Sequence, residues 1–375
     1  MKIAIVGNYG NRNAGDDAIL SGLIHTMFTI NKDIEITVFT NNKDNTDTVE
    51  GVVKESLIYK EKKSKLVNII FSIKEILKLK QKFDIVILGG GGILMDMYPR
   101  DLPLYWFIVK NIVKRDGTLI VHGVGAGPLK TSLGKKIVKN ILNSSKVISV
   151  RDEKSKKILN ELISGNRSIE IIGDPAFGNE HLAISREAGV KKIGITVLPY
   201  FADYYWPEYD KEKFEQYKNN IIKLIHGLSE NKNNQIYLYS TKYPDDHRLA
   251  NEIYQETKKQ NVILNEEILS PKSLIEFTQD LDVVVGTRLH SLIIGLLVNA
   301  SIYGIGYHHK VEGFFGEMEL ENNFFKIDEL NVDKLIEEIN QSESNKNNII
   351  KANSIYQSKF AKGVSILESV IEEKK

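Results

Sequence analysis

Two stretches of the 375-residue chain carry most of the side chains able to do chemistry. The first is Gly7-Asn8-Tyr9-Gly10-Asn11-Arg12-Asn13-Ala14-Gly15-Asp16-Asp17, between a short apolar run and a segment of helical period. Glycines here let the backbone approach a ligand, and two adjacent carboxylates suit a general base for a hydroxyl group. A plainer reading is a turn in which Asp16 or Asp17 caps the following helix. Only one of them can cap well, which leaves the other for a different role. The second stretch is Val283-Val284-Val285-Gly286-Thr287-Arg288-Leu289-His290-Ser291-Leu292, a buried strand that releases Arg288 and His290 at its end. The next apolar run leads through Gly306-Tyr307-His308-His309 to Lys310, so His290 and Lys310 are expected at neighbouring strand ends. Arg151, at the end of an earlier strand, could face them. Any one of these cations alone could be a surface salt bridge or a helix cap. Together they would make a pocket for a small, doubly anionic ligand, because Arg offers a fork and Lys a point charge.

Two further glycine turns follow strands. Leu88 leads into Gly89-Gly90-Gly91-Gly92-Ile93-Leu94-Met95-Asp96, and His122 into Gly123-Val124-Gly125-Ala126-Gly127-Pro128. Four consecutive glycines are entropically costly, and they let main-chain N–H groups point at an incoming substrate. The dinucleotide spacing G-x-G-x-x-G is absent, as is the lysine of a phosphate-binding P-loop.

The elements that must position these residues alternate in a βα pattern. Short buried strands are expected at Lys2 to Val6, Ile34 to Thr40, Ile85 to Leu88, Thr118 to Gly123 and Val147 to Arg151. The second half repeats the pattern at Lys192 to Val197, Gln235 to Ser240, Val283 to Gly286 and Ser301 to Ile305. Helices are expected between them, among others at Asp16 to Ile30, Leu66 to Lys80, Asp152 to Leu162, Lys211 to Leu228 and Ser273 to Leu281. The expectation is an α/β fold of two Rossmann-like domains, 1–180 and 190–350, with parallel sheets facing across a cleft, followed by a C-terminal helix at 351–375.

Composition narrows the function classes. Lys plus Arg number 50 against 49 for Asp plus Glu, which gives no global field to hold nucleic acid, so no nucleic acid partner is expected. Cysteine is absent, which removes thiolate nucleophiles and thiolate metal sites. No spaced cluster of His and carboxylates demands a metal, and no cofactor is expected. Met1 to Gly7 runs directly into an apolar strand without the features of a signal peptide, which points to the cytoplasm.

The residues quoted so far, with Val150-Arg151-Asp152 and Gly173-Asp174-Pro175, occur in an order that resembles the polysaccharide pyruvyl transferase family, in particular its bacterial cell-wall members. Thr287-Arg288-Leu289-His290 with the later Lys310 is the most specific part of the likeness, which runs from Gly7 to about Gly313. The resemblance implies a GT-B-like fold, phosphoenolpyruvate as donor, and ketal formation on two hydroxyls of a sugar such as N-acetylmannosamine, in a cell-wall or exopolysaccharide precursor. It carries donor binding onto Arg151, His290 and Lys310, which the residues themselves had grouped with Arg288. His290 is then the expected general acid and Asp16 or Asp17 the base. The acceptor is expected against Asn13, Gly15, Asp16, Gly90, Gly91, Gly92 and Asp96. His308 and His309 depart from the family's pattern, which leaves the roles of both imidazoles open.

Two other function classes fit the same residues. In a nucleotide-sugar glycosyltransferase, Arg288 and Lys310 would hold a diphosphate and Glu312 a ribose; in a non-catalytic two-lobed protein the cations would simply close on an anion. The aromatic run Tyr200-Phe201-Ala202-Asp203-Tyr204-Tyr205-Trp206-Pro207 suits sugar faces or a buried contact equally well. The segment Lys63 to Lys80 has a wide apolar face flanked by lysines. It either covers the sheet or docks peripherally on the inner face of a membrane carrying a lipid-linked oligosaccharide acceptor.

Overall fold

The computed structural model describes residues 1–57, 65–79, 81–98, 101–163, 165, 167–181, 189–206, 208–307 and 309–375. Of the sequence expectations, those on Lys63, Ser64, Lys80, Pro207 and His308, and on the side chains of Lys65, Leu66, Ile69 and His309, lie outside what is described. The chain divides into two compact units, one of residues 1–11, 16–179 and 357–375, the other of residues 12–15 and 180–356.

In the first unit the chain runs β1 (Lys2–Val6), α1 (Ala14–Ile30), β2 (Glu35–Thr40), β3 (Val53–Ser56), α2 (Lys65–Lys78) and β4 (Phe83–Gly89). It continues through α3 (Asp101–Ile112), β5 (Val113–Val124), α4 (Ser132–Ser144), β6 (Ser145–Val150), α5 (Glu153–Asn160) and β7 (Glu170–Ile171). All neighbouring strands pair in parallel, in the order β3-β2-β1-β4-β5-β6-β7. Parallel strands covered on both faces must be apolar throughout. Ile3, Ala4, Ile5 and Val6 are accordingly all buried.

The second unit runs β8 (Lys191–Thr196), α6 (Lys211–Ser229), β9 (Asn234–Tyr239), α7 (Asp245–Thr257), β10 (Val262–Leu264), α8 (Pro271–Gln279) and β11 (Val283–Gly286). Then come α9 (Leu289–Leu297), β12 (Ser301–Gly306), α10 (His309–Glu317), β13 (Phe324–Lys326), α11 (Val332–Asn340) and α12 (Lys346–Glu372). Its parallel sheet has the order β10-β9-β8-β11-β12-β13. The early part of α12 packs within this unit, where Asn353 donates to the Leu296 carbonyl at 2.5 Å. Its later residues Leu367, Val370 and Ile371 join the core of the first unit beside Leu20, Leu23 and Met27 of α1.

The buried central strands fall where the apolar runs indicate. β3, β7, β10 and β13 do not announce themselves, and they are the four sheet edges. β3 reads Val-Lys-Glu-Ser and is half-exposed, and β7, β10 and β13 have only two or three residues each. An edge strand has one neighbour and little apolar surface to bury, so periodicity does not mark it.

Candidate functional site

Each sheet has a point where the connections leave neighbouring strands in opposite directions, and ligands of open α/β sheets bind beyond the strand ends there. In the first unit this point lies between β1 and β4. The loop Gly7–Gly10 leaves β1 and the turn Gly89–Gly92 leaves β4. Tyr9, only 1% exposed, ties the two together by donating its hydroxyl to the Gly89 carbonyl at 2.6 Å. Gly90 and Gly91 have φ of +72° and +65°, and a methyl group on Gly90 would lie 2.0 Å from Ile19 Cγ2. Both the left-handed backbone and the close helix demand glycine there.

The two adjacent aspartates have different surroundings. Asp16 is half-buried, accepts from Asn8 Nδ2 at 3.2 Å, and lies over the glycine turn so closely that a Cβ on Gly91 would be 3.3 Å from its Oδ1. Asp17 is buried and accepts the Gly10 amide at 2.9 Å, so it closes the loop onto the first turn of α1. Burial pushes its carboxyl up to about 7, aided by the nearby Asp16 and Asp47 and opposed by the Gly10 hydrogen bond. A carboxyl raised in this way binds more protons folded than unfolded between about pH 4 and 7, so it lowers stability as pH rises through that window. Asp17→Asn keeps an acceptor for Gly10 and removes the titration. Its melting temperature at pH 8 is expected to exceed the wild type's, by a margin that shrinks towards pH 4, in thermal denaturation followed across pH.

Asp96 does framework work: its two carboxylate oxygens accept the amides of Lys130 at 2.9 Å and Thr131 at 2.6 Å, ahead of α4. Burial alone would raise its pKa, but these amides hold it below the ordinary carboxylate range. Gly92 lies in the glycine turn beside Gly91. Arg151, 7% exposed at the end of β6, donates from Nη1 to Asp174 at 3.1 Å, and Asp174 is fully buried. The Gly-Asp-Pro stretch therefore supplies the countercharge for Arg151. His122, at the end of β5, is buried and neutral, its imidazole pushed down to about 4 by burial.

In the second unit the corresponding point lies between β8 and β11. Thr287 Oγ1 donates to the Thr196 carbonyl at 3.0 Å, and Ser291 Oγ lies 2.9 Å from Thr196 Oγ1, so the two strand ends are pinned together. α9 starts directly after Arg288, which puts His290 in its first turn. Lys310 lies in the first turn of α10, after β12, and β11 and β12 are parallel neighbours. Residues 12–15 belong to this unit. Asn13 bridges Lys242, the Ala14 amide donates to the Thr241 carbonyl at 2.8 Å, and Gly15 packs against the His290 imidazole. A Cβ on Gly15 would come within 2.4 Å of His290 Nδ1. Gly15→Ala must therefore displace the ring, and turnover is expected to fall by roughly 10²-fold with little change in melting temperature, as steady-state kinetics beside thermal denaturation would show.

The fork of Arg288, expected on an anionic ligand, is taken up inside the unit. Nε donates to Asp246 Oδ2 at 2.9 Å and Nη2 to Oδ1 at 2.5 Å, while Nη1 and Nη2 both reach the Tyr205 hydroxyl at 3.3 Å. Burial opposes the charge on Arg288, but Asp246 and Tyr205 outweigh it and its pKa is raised. Burial pushes the Asp246 carboxyl up and Arg288 pulls it back. With a bidentate charge-assisted pair in place, Asp246 is the ionised partner. Lys242 adds a second cation, 3.1 Å from the same Tyr205 oxygen.

The structure places His290 and Lys310 in the first turns of α9 and α10 and Asp16 over the glycine turn, while the sequence reading did not name Asp246, 42 residues before Arg288, or the part Asp174 plays for Arg151. The acidic start of α7 and the aromatic run were the only signals for the Arg288 network. That run packs partly on itself and partly on its own unit: the Tyr200 ring is 5.5 Å from those of Trp206 and Tyr307, and its hydroxyl donates to Asp328 at 3.0 Å. Of the expected donor residues, Arg288, His290 and Lys310 belong to the second unit and Arg151 to the first; of the acceptor residues, Asn13 and Gly15 belong to the second. Among the described residues, no group of three or more His, Asp or Glu side chains is placed to hold a metal ion.

Residues 13–309 match the family model for polysaccharide pyruvyl transferase. The chain belongs to the polysaccharide pyruvyl transferase family. It is a transferase, and the family's activity is pyruvyl transfer onto polysaccharide. The amylovoran biosynthesis protein AmsJ of Erwinia amylovora is 22% identical over 91% of each chain. Among solved structures, a Listeria monocytogenes protein assigned as a UDP-N-acetylglucosamine 2-epimerase matches 99% of this pyruvyl transferase family member and 97% of its own chain, with TM-score 0.66 and 12% identity. The UDP-GlcNAc 2-epimerase of Neisseria meningitidis bound to UDP-GlcNAc covers 100% of both chains, with TM-score 0.61 and 12% identity. At such identities these likenesses concern the fold, which is GT-B-like with two parallel-sheet α/β units.

Proposed function

We propose that the protein transfers the pyruvyl group of phosphoenolpyruvate to two hydroxyls of one sugar residue, N-acetylmannosamine being the first candidate, in a polysaccharide precursor made in the cytoplasm. Donor binding falls to His290 and Lys310, with Arg288 fixing the loop that carries His290; Arg151 is the further donor-binding residue proposed. The acceptor is assigned to Asn13, Gly15, Asp16 and the Gly90–Gly92 turn, with Asp96 holding the loop that follows the turn. In the reaction a proton adds to the methylene carbon of phosphoenolpyruvate, and a sugar hydroxyl attacks the central carbon while losing its proton. Phosphate then leaves, and the second hydroxyl closes the ketal with loss of its own proton. His290 is the acid for the first proton. Asp16 is the base, because it is the more exposed of the two aspartates and lies over the glycine turn, whereas Asp17 is buried and closes a loop.

The observation that carries this reading is the placement of His290 and Lys310 in the first turns of helices that follow parallel neighbouring strands, in a chain of the pyruvyl transferase family. The AmsJ relative, named for amylovoran biosynthesis, supports a polysaccharide acceptor. The test is incubation with phosphoenolpyruvate and N-acetylmannosamine-containing saccharides, following phosphate release and the methyl signal of a ketal by NMR. Acceptor-dependent phosphate with a new ketal methyl is expected; absence of both across a panel of acceptor sugars contradicts the reading. Asp16→Asn is expected to abolish ketal formation, while Asp17→Asn retains most of it.

A further inference from the structure

We propose that the outer face of α2, with Met97 and Tyr98, is a docking surface for an anionic lipid bilayer. On a helix that merely covers a sheet, the apolar stripe faces inwards. α2 buries Ser72 and Ile76 but leaves Val67, Ile70 and Leu77 at 45%, 48% and 58% exposure. With the exposed Lys74 these residues fall at intervals of three and four, so they form one stripe along the helix. Among the described residues, seven of the thirteen exposed large apolar side chains lie between Val49 and Tyr98. Met97 and Tyr98 are two of these, and they come shortly before the start of α3 at Asp101; α3 packs on α2.

Charge identifies the occupant. Residues 54–82 contain nine lysines against three glutamates, an excess of six in a chain whose total is only +1. An apolar stripe on a helix whose exposed face also carries Lys74 and Lys78, in a stretch of sequence with that excess of lysines, is the pattern of a helix lying in the interface of an anionic membrane. A second copy of the chain fits poorly, because a two-fold contact through this face would bring Lys74 and Lys78 of one copy against the same lysines of the other. A spanning role is not involved, since among the described residues no helix is long and apolar enough to cross a membrane.

Topology puts one end of this surface, the start of α2 with Met97 and Tyr98, at the edge that carries the glycine turns. Each helix of a parallel sheet starts at the C-terminal edge of the strands, so the first turns of α2 and the residues before α3 share the edge that carries Gly7–Gly10 and Gly89–Gly92. Docking through them would hold that edge close to an acceptor still attached to a lipid. The lipid-linked acceptor rests on the pyruvyl-transfer reading, whereas the docking itself does not.

The test is co-sedimentation of the full chain with vesicles of phosphatidylcholine alone or with one third phosphatidylglycerol, at low and high salt. Wild type is expected on the phosphatidylglycerol vesicles and to be at least tenfold less bound to phosphatidylcholine. Ile70→Glu/Leu77→Glu should lose at least tenfold of the binding at both salt concentrations, and Lys74→Glu/Lys78→Glu mainly its salt-sensitive part. The substituted side chains are exposed, so unchanged melting temperatures are expected and separate docking from folding. Equal binding of wild type and Ile70→Glu/Leu77→Glu overturns the proposal, as does wild type that stays in solution. Self-association abolished by the apolar substitutions, without vesicle binding, also overturns it and gives the face to a second copy. Because no substrate enters this assay, its failure leaves the pyruvyl-transfer reading standing, and failure of transfer leaves the docking result standing.

Discussion

His290→Ala is expected to lower turnover of phosphoenolpyruvate by about 10²–10⁴-fold, the usual contribution of a positioned acid or base, while the melting temperature stays near that of wild type. The imidazole is half-buried in the first turn of α9 and rests on the backbone of Gly15, so its ring position is fixed by contacts rather than by its own exposure. Truncating it leaves the strand-end hydrogen bonds of Thr287 and Ser291 in place. Loss of rate without loss of fold is therefore the signature of a chemical role. His290→Gln, which keeps a polar side chain without an acid near neutral pH, should be impaired almost as severely. A variant that retains near-normal turnover would remove His290 from the chemistry.

The second large effect is on stability. Asp246→Ala leaves Arg288, whose side chain is 19% exposed, charged without its carboxylate, which is expected to cost about 3–5 kcal/mol. Denaturant titration of the wild type and the variant measures this. The two ends of the pair lie on α7 and at the end of β11, and Tyr205 joins them from the loop after β8. Removing both charges together, as in Asp246→Leu/Arg288→Met, should cost much less than Asp246→Ala alone, because the penalty comes from the orphaned charge. Equal losses in the single and double variants would mean that packing, not charge pairing, dominates this loop.

Much of the molecule was legible in the sequence because burial writes itself into composition. The central strands, such as Val283-Val284-Val285, must be apolar on both faces, and the glycine turns that follow strands must be glycine where φ is positive or a helix approaches within contact. The sheet edges were not legible, since β3 and β7 have too little buried surface to leave a pattern. The partners of the arginines were not legible for a related reason: a guanidinium looks the same in sequence whether it awaits a ligand or is held by a buried aspartate. Asp174 and Asp246 lie 23 and 42 residues from the arginines they hold, so pairing came only with the fold. Likewise Asp16 and Asp17 are indistinguishable as adjacent letters. Their helical positions separate them, one buried against Gly10 and the other over the glycine turn.

The most direct test of phosphoenolpyruvate as the donor is calorimetric titration of wild type and Lys310→Ala with phosphoenolpyruvate and, separately, with UDP-N-acetylglucosamine. Saturable binding of phosphoenolpyruvate by the wild type, weakened at least tenfold in Lys310→Ala, is expected, with no comparable binding of the nucleotide sugar. Saturable binding of UDP-N-acetylglucosamine with none of phosphoenolpyruvate would contradict this expectation and make the protein a user of nucleotide sugars.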